Sequence, residues 1–261
     1  MNRLKNFWLF GDSSLGLNGK KKLAFWAWNT AVLLAAGLCL GMLSIFFAYG
    51  DYTDMLMKSY LQRPLLLLLN VAPVVVLVLL LYLLTGRPWA AFLLSSVLVW
   101  GLSLGNYYKL RFRDDPLMFE DLKYLREAGS ITKTASYDLT PDKRVWFGLA
   151  CVVLGTVFLL FLVRGIPKWR VRLPLFLVGA LLCVPAWKCY VDKDLYNTRT
   201  ANYDYINRWS STQVYISKGF VYPFLHSVSV GSIKAPGGYS ERETAALLGS
   251  YVPQDIPEEK K

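Results

Sequence analysis

The chain has 261 residues, 54% of which are hydrophobic, and its formal net charge is +11. Five long runs contain no Asp, Glu, Lys or Arg, and such runs exclude a soluble nucleic-acid-binding protein in spite of the basic charge. The cations cluster beside these runs, where membrane topology and anionic lipid headgroups account for them. The runs are Leu23–Tyr49, Pro64–Leu84, Trp89–Gly105, Val145–Val163 and Leu173–Trp187.

The segment before the first run is basic. It contains Arg3, Lys5 and the run Lys20–Lys22 against a single acid, Asp12. A basic segment beside the first span favours a cytoplasmic N-terminus. Because the apolar run after it is too long for a signal peptide, we expect an uncleaved membrane anchor.

The apolar runs predict five transmembrane helices. A helix needs roughly 20 mostly apolar residues to cross a bilayer, and the first four runs meet that length or come close to it. The fifth run is shorter, but it reaches Val191 if Lys188 extends its amine toward the headgroups. The predicted spans are residues 23–49, 64–84, 89–105, 145–163 and 173–191, which together with the N-terminal segment form a membrane domain over residues 1–191.

The charges of the loops predict the topology. The segments assigned to the cytoplasm, residues 1–22, 85–88 and 164–172, carry ten cations and a single acid. The long loop over residues 106–144 carries eight cations and seven acids, and long loops follow the charge rule weakly. We therefore predict a multi-pass protein of the cell membrane with a cytoplasmic N-terminus and an extracellular C-terminus.

The long loop begins with an alternation of basic and apolar residues. If Asn106–Arg113 is extended, Lys109, Arg111 and Arg113 share one face and the apolar side chains share the other. Cations interleaved with aromatic residues at a membrane surface can hold the phosphate of an anionic phospholipid such as phosphatidylglycerol. The alternative is generic anchoring, in which the basic side chains reach the headgroups without selecting a lipid.

An amphipathic helix over residues 116–128 is predicted to follow. Asp115 suits its N-cap, and Pro116 suits its first helical position. Its apolar face consists of Met118, Leu122 and Leu125. We expect this helix to lie on the bilayer surface between the third and fourth spans. Thr140 and Pro141 then form a cap-and-start signal for the fourth span.

Residues 192–261 form a tail that is too aromatic for a free linker. Its aromatic residues include Trp209, Tyr215, Phe220, Tyr222 and Phe224. We therefore expect part of the tail to pack on the membrane domain or on the bilayer interface. The prolines and the charged run at its end are typical of a linker to a further domain.

Three segments between and after the spans read NYYKLRFRDDPLMFEDLKYLREAG, KGFVYPFLHSV and KAPGGYSERE. Together with the order of the spans, they resemble the membrane region of the lipoteichoic acid synthase family and the related phosphoglycerol transferases. The likeness extends over nearly all of residues 20–252. It implies an all-α membrane domain followed by an extracellular connecting segment.

The resemblance also implies a function. In that family an extracellular sulfatase-like domain uses manganese and a threonine nucleophile to transfer glycerol phosphate from phosphatidylglycerol to a growing polymer. This chain would be the membrane anchor and lipid-presenting domain of such an enzyme in a bacterial cell membrane. The opening strand and threonine motif of the catalytic domain have no counterpart here, so no catalytic residue and no metal ligand is assigned. Manganese is expected in a catalytic domain that acts in cis or in trans.

Other polar groups are more simply explained as structural. A cluster of acids in the long loop could bind a divalent ion, but a helix N-terminus that favours negative charge, together with a solvated face, is the simpler interpretation. The single histidine, His226, lies in an aromatic stretch that is typical of a packed residue. The acids are Asp114, Asp115, Glu120 and Asp121.

The alternative function is a free-standing, non-catalytic membrane scaffold or interaction protein. A transporter is expected to carry charged residues within its spans, and the five apolar runs have none. The absence of charge counts against transport and leaves the anchor and the scaffold as the two hypotheses.

Overall fold

The computed structural model describes residues 19–50, 58–124, 141–163, 169–204, 206–230, 240 and 244–245. Within these ranges the chain is mostly helical and contains no strand. Five of the helices are long and apolar enough to cross a membrane, as the five apolar runs predict. They are α1 (Gly19–Ala48), α2 (Pro64–Thr85), α3 (Pro88–Arg113), α4 (Lys143–Leu162) and α5 (Trp169–Val191).

The third span is longer than predicted. The charge-free run ends at Gly105, but α3 continues to Arg113 and ends at Asp114, whose φ of 51° is left-handed. The extended conformation considered for residues 106–113 is therefore wrong. In a helix, Lys109 and Arg113 lie one turn apart on one face, while Arg111 points to a different side.

The turn between α2 and α3 makes these helices antiparallel neighbours. Gly86 ends α2 with a left-handed φ of 69° and donates its N–H to the carbonyl of Tyr82 at 2.7 Å. Pro88 then occupies the first turn of α3, where a missing N–H costs no helical hydrogen bond. Among the residues that these two helices bury are three serines and two asparagines, which a lipid-facing surface would not favour.

The N-terminus of α4 differs from the prediction. Its N-cap is Asp142, whose carboxylate accepts hydrogen bonds from the backbone N–H groups of Arg144 and Val145. The proposed cap, Thr140, lies outside the described residues.

Glycines set the closest helix contacts. A Cβ added at Gly37 would lie 3.0 Å from the Cα of Val75, and one at Gly41 would lie 2.9 Å from Val71. The GxxxG spacing of α1 therefore serves packing against α2 within the chain. Between α3 and α4, the ring of Trp100 covers Gly148 in the same way.

The fifth span lies at the edge of the bundle. It packs against α2, and no residue from Arg172 to Val191 is buried. Pro174 and Pro185 both lie inside the continuous helix α5. The apolar side chains on its outer surface are consistent with a helix that faces lipid.

The tail folds across one end of the bundle. After α5 it forms a π-helical turn (Leu195–Arg199), α6 (Ser211–Ile216) and α7 (Val221–Val230). We call this end, where α1, α3 and α5 end and α2 and α4 begin, the capped end. The predicted packing of the tail aromatics is confirmed for Tyr215, Phe220, Tyr222 and Phe224, which are buried, whereas Trp209 is 96% exposed.

The predicted amphipathic helix over residues 116–128 is shorter in the described part of the chain. A 3-10 helix covers Phe119–Tyr124, and residues 115–118 are not helical. The carboxylate of Asp121, inside this helix, accepts the N–H of Met118 at 2.6 Å, whereas Asp115 lies outside the helix and pairs with Lys109. Leu122 packs against the buried cluster at the capped end, while Leu125 lies outside the described residues.

Candidate functional site: the capped end of the bundle

A loop of the tail is bound into the capped end by buried polar side chains. The Tyr60 hydroxyl donates to the carbonyl of Ile216 at 2.7 Å, and the Tyr49 hydroxyl donates to that of Gly219 at 2.6 Å. Both tyrosines are fully buried, so these bonds form where water cannot compete. The loop that lies between α6 and α7 is therefore part of the core.

Asn70 is the centre of this attachment. Its amide nitrogen donates to the carbonyl of Lys218 at 2.8 Å, and its amide oxygen accepts the N–H of Tyr222 at 3.1 Å. Asn70 is itself fully buried in α2, one turn below Leu66, whose carbonyl it also binds. An asparagine inside a span is costly unless its amide is satisfied, and the tail supplies two of its partners.

Gly219 allows the close approach of the tail to Asn70. Its φ is 96°, in the left-handed region, and an added Cβ would lie 2.2–2.4 Å from the amide atoms of Asn70. Since that amide is fixed by its hydrogen bonds, it cannot move aside at low cost. Glycine is the residue that satisfies both the backbone angle and the available space.

Lys218 is a buried cation. Only 1% of its surface is exposed, and its ammonium group donates to the carbonyls of Tyr196 and Thr200 at the end of the π-helical turn. The ammonium also lies 4.6 Å from the centre of the Tyr196 ring. A cation at a helix C-terminus is favourable, because it pairs with carbonyls that have no partner within the helix. Burial lowers the pKa of Lys218 to about 8.

His226 packs against Tyr196, the same residue whose ring lies near the ammonium group of Lys218. Its ring stacks on Tyr196 with the centroids 3.8 Å apart, and its Nδ1 lies 2.7 Å from the carbonyl of Tyr190. Burial lowers the pKa of His226, so the ring is neutral at pH 7 and Nδ1 is the donor in that contact. The packed role that the sequence favours for this histidine matches its position.

Lys109 is held by carboxylates. Its ammonium group lies 2.6 Å from Asp115 and 2.8 Å from Asp121, and it donates to the carbonyl of Pro116 at 2.9 Å. Its side chain is only 14% exposed. This lysine joins the end of α3 to the segment that follows it. Lys109 therefore has a structural role in the fold, and Arg111 and Arg113 are the exposed members of the predicted trio.

Asn106, like Lys109, joins the end of α3 to neighbouring parts of the chain. This fully buried amide donates to the carbonyl of Ala48 at 2.8 Å and accepts the N–H of Leu117 at 2.8 Å. It therefore joins α3 to the end of α1 and to the chain after α3. The sequence pattern does not reveal that Asn106 and Lys218 are buried, because one buried polar residue gives no periodic signal. A single lysine in a polar tail likewise resembles a solvated one.

The described residues contain no group of three or more His, Cys, Asp or Glu side chains that could hold a metal ion. We therefore assign no manganese ligand to them. No protein-family model, no curated protein and no solved structure matches this chain.

Replacement of Gly219 by alanine should loosen the tail. The left-handed φ alone costs a residue with a Cβ about 1–2 kcal/mol, and displacement of Asn70 adds to that cost. We expect G219A to be cleaved by trypsin within the tail faster than the unaltered protein in detergent micelles. Gly101→Ala is the matched control, since nothing lies within 4 Å of its added Cβ. Equal digestion rates for G219A and G101A would contradict the tight fit.

Replacement of Lys218 by methionine should destabilise the protein, because two buried carbonyls lose their donor. At about pH 7 we expect a loss of about 1–3 kcal/mol in the free energy of unfolding. The lowered pKa adds a pH dependence: between about 8 and the ordinary value of 10.5, the unfolded chain binds more protons than the folded one. The unaltered protein should therefore gain stability relative to K218M as the pH rises through this window. Thermal unfolding of both proteins across that range checks this, and a difference that shrinks with pH would refute the assignment.

Proposed function

We propose that this chain is the membrane anchor and lipid-presenting domain of a lipoteichoic acid synthase-like phosphoglycerol transferase. In this proposal it lies in a bacterial cell membrane with a cytoplasmic N-terminus, and the capped end faces the outside. One observation carries the proposal: the tail that would lead to a catalytic domain is bound into the bundle by buried hydrogen bonds. A segment that served only as a tether would need no such attachment.

The attached tail would hold a following domain in a fixed orientation relative to the bundle. The tail helix α7 packs against α5, α2 and the 3-10 helix, so its direction is fixed by three elements. An enzyme that draws its donor from the bilayer benefits when its active site is held at a set height and orientation. The sequence resemblance supplies the reaction, and the packed tail explains how a membrane domain would orient the enzyme that performs it.

The segment after α3 would rest on the membrane surface. Met118 and Phe119 are 39% and 40% exposed, although their neighbour Leu117 is buried. Exposed apolar side chains beside cations are typical of a segment that lies among lipid headgroups. Arg111 and Arg113, near the end of α3, would then meet the phosphates of anionic lipids such as phosphatidylglycerol.

A free-standing scaffold is the second candidate function. It is favoured by Trp209, which is 96% exposed next to Arg208, whose guanidinium lies 4.7 Å from the ring centre of Tyr203. Exposed tryptophan and arginine are enriched at protein interfaces. Such a surface would let the chain bind a partner protein without any catalytic domain of its own.

Reading the native coding sequence past Lys261 tests the main proposal. We expect an in-frame continuation into a sulfatase-like domain, because a tail fixed by buried hydrogen bonds is suited to positioning such a domain. A stop codon at that point, with no gene for such a domain adjacent, would favour the scaffold.

Neutralisation of Arg111 and Arg113 tests the headgroup role. The double variant R111Q/R113Q leaves the ion pairs of Lys109 in place, so the junction between α3 and the segment after it stays intact. We expect less phosphatidylglycerol per protein after purification, measured by lipid chromatography. The control R87Q/R170Q removes the same charge from the opposite end of the bundle. If both variants retain as much phosphatidylglycerol as the unaltered protein, the headgroup role is wrong.

A further inference from the structure

His226 is the only histidine in the chain, and it lies where the tail meets the bundle. It belongs to α7, and only 5% of its surface is exposed. Its imidazole stacks on the ring of Tyr196 with the two planes 4° apart, and its Nδ1 donates to the carbonyl of Tyr190 at 2.7 Å. Tyr190 lies near the end of α5 and Tyr196 lies in the π-helical turn, so one neutral side chain joins α7 to both elements.

The ring of Tyr196 also contacts a second basic side chain. The ammonium group of Lys218 lies 4.6 Å from the centre of this ring and donates to the carbonyls of Tyr196 and Thr200. These carbonyls satisfy one buried cation. A protonated His226 would place a second positive charge against the same ring, and like charges repel more strongly in a buried place than in water.

Acid would add a proton to Nε2 of His226, because Nδ1 already carries the hydrogen that contacts Tyr190. Within the described part of the chain, Nε2 makes no hydrogen bond. The new N–H would thus gain no acceptor from these residues, while the ring would acquire a charge that its burial opposes. The neutral imidazole therefore fits this site better than the imidazolium does.

Among the described residues, three charged side chains act on His226. Lys218 and Lys193 oppose a positive charge on its ring, and Asp192 favours one. One oxygen of the Asp192 carboxylate already accepts the N–H groups of Asp194 and Leu195. The surrounding tyrosines are neutral below about pH 10. The nearby charges therefore have a positive sum, which acts in the same direction as burial.

The other described elements that pack against α7 do not change this balance. Helix α2 carries no charged side chain from Pro64 to Thr85. The 3-10 helix carries two acids and a lysine, but it meets α7 at Phe224 and Ser227, which point to other sides of the helix than His226. Burial is the largest cause that lowers the pKa of His226, and the two lysines add to it. The hydrogen bond to Tyr190 and the charge of Asp192 act in the opposite direction, and the pKa stays below the ordinary value of 6.5.

We propose that protonation of His226 releases the tail from the capped end, so that mild acid loosens α7 and the loop before it. The folded chain binds this proton less readily than the unfolded one, because the folded pKa is the lower of the two. The attachment is therefore strongest above pH 6.5 and weakens as the pH falls through the folded pKa. The inference goes beyond the proposed function, since it concerns the attachment whatever the tail carries. Where the tail positions a following domain, acid would free that domain.

Nuclear magnetic resonance of the full chain in detergent micelles tests the protonation. With isotope-labelled histidine as the only label and no histidine tag, the spectrum contains the signals of His226 alone. We expect His226 to titrate below the ordinary pKa of 6.5. Lys218→Met should move the titration toward that value, because it removes a cation that opposes protonation. The control Lys143→Met removes a cation from α4, which packs on α3 and α1, and should leave the titration unchanged.

Hydrogen exchange of the backbone amides of α7, at about pH 7 and about pH 5, tests the release. Each rate is divided by that of an unstructured peptide at the same pH. One unit between the folded and unfolded pKa gives about a tenfold rise in the opening equilibrium at a pH well below both values. The rise in acid should follow from the pKa that the titration gives, and α2 and α3 should show none.

Two variants separate the proton from the contacts of the ring. His226→Asn keeps a donor for the carbonyl of Tyr190, and His226→Phe keeps an aromatic ring against Tyr196. Neither side chain binds a proton, so each variant should protect α7 equally at both pH values.

The assignment is overturned if His226 titrates at or above 6.5, or if α7 of the unaltered protein is equally protected at both pH values. It is also overturned if H226N and H226F lose protection in acid as the unaltered protein does. Since these measurements contain no catalytic domain and follow no transfer, their failure is distinct from a failure of the proposed enzyme role.

Discussion

The fit between Gly219 and Asn70 is the constraint on which the capped end depends. Asn70 sits inside an apolar helix, and its amide is satisfied in part by backbone groups of a loop almost 150 residues later in the chain. If the loop moved away, a buried amide would lose two partners within a span, where water cannot replace them. The same loop carries Lys218, whose ammonium group donates to the carbonyls of Tyr196 and Thr200 in the helical turn that follows α5. The tail and the bundle therefore stabilise each other.

The spans could be predicted from the sequence because each depends on one local property, the absence of charge over a bilayer thickness. The ends of the spans could not be predicted as well, since helical hydrogen bonds continue where hydrophobicity stops. Helix α3 shows this: it runs eight residues beyond Gly105 through the basic strip, and its end is fixed by contacts of Lys109 with later carboxylates. The alternation of cations suggests an extended face, but the backbone there is helical.

The candidate site could be predicted in part. The sequence directs attention to the cations after the third span, and two of them are exposed there. It offers no means of separating Lys109 from Arg111 and Arg113, because the pairing of Lys109 with Asp121 requires the chain to reverse direction between them. Arg144 counts in the sequence only as a loop charge, yet it lies against Phe46 and binds the end of α1. Such roles depend on contacts between residues about 95 positions apart, and no periodic pattern marks them.

The two sides of the capped end have different surroundings, and this difference bears on how a lipid would be presented. The tail packs chiefly on α2, α5 and the 3-10 helix, whereas α4 packs on α3 and α1. A lipid headgroup held at Arg111, beside Tyr107 and Asp142, would therefore lie next to the attached tail and not beneath it. A domain held by the tail would stand next to the headgroup, where it could reach the phosphate without lifting the lipid from the bilayer. In this arrangement the rigid attachment at Asn70 would set the distance between a catalytic site and its donor, so a change at Gly219 would affect transfer even though Gly219 lies away from the lipid.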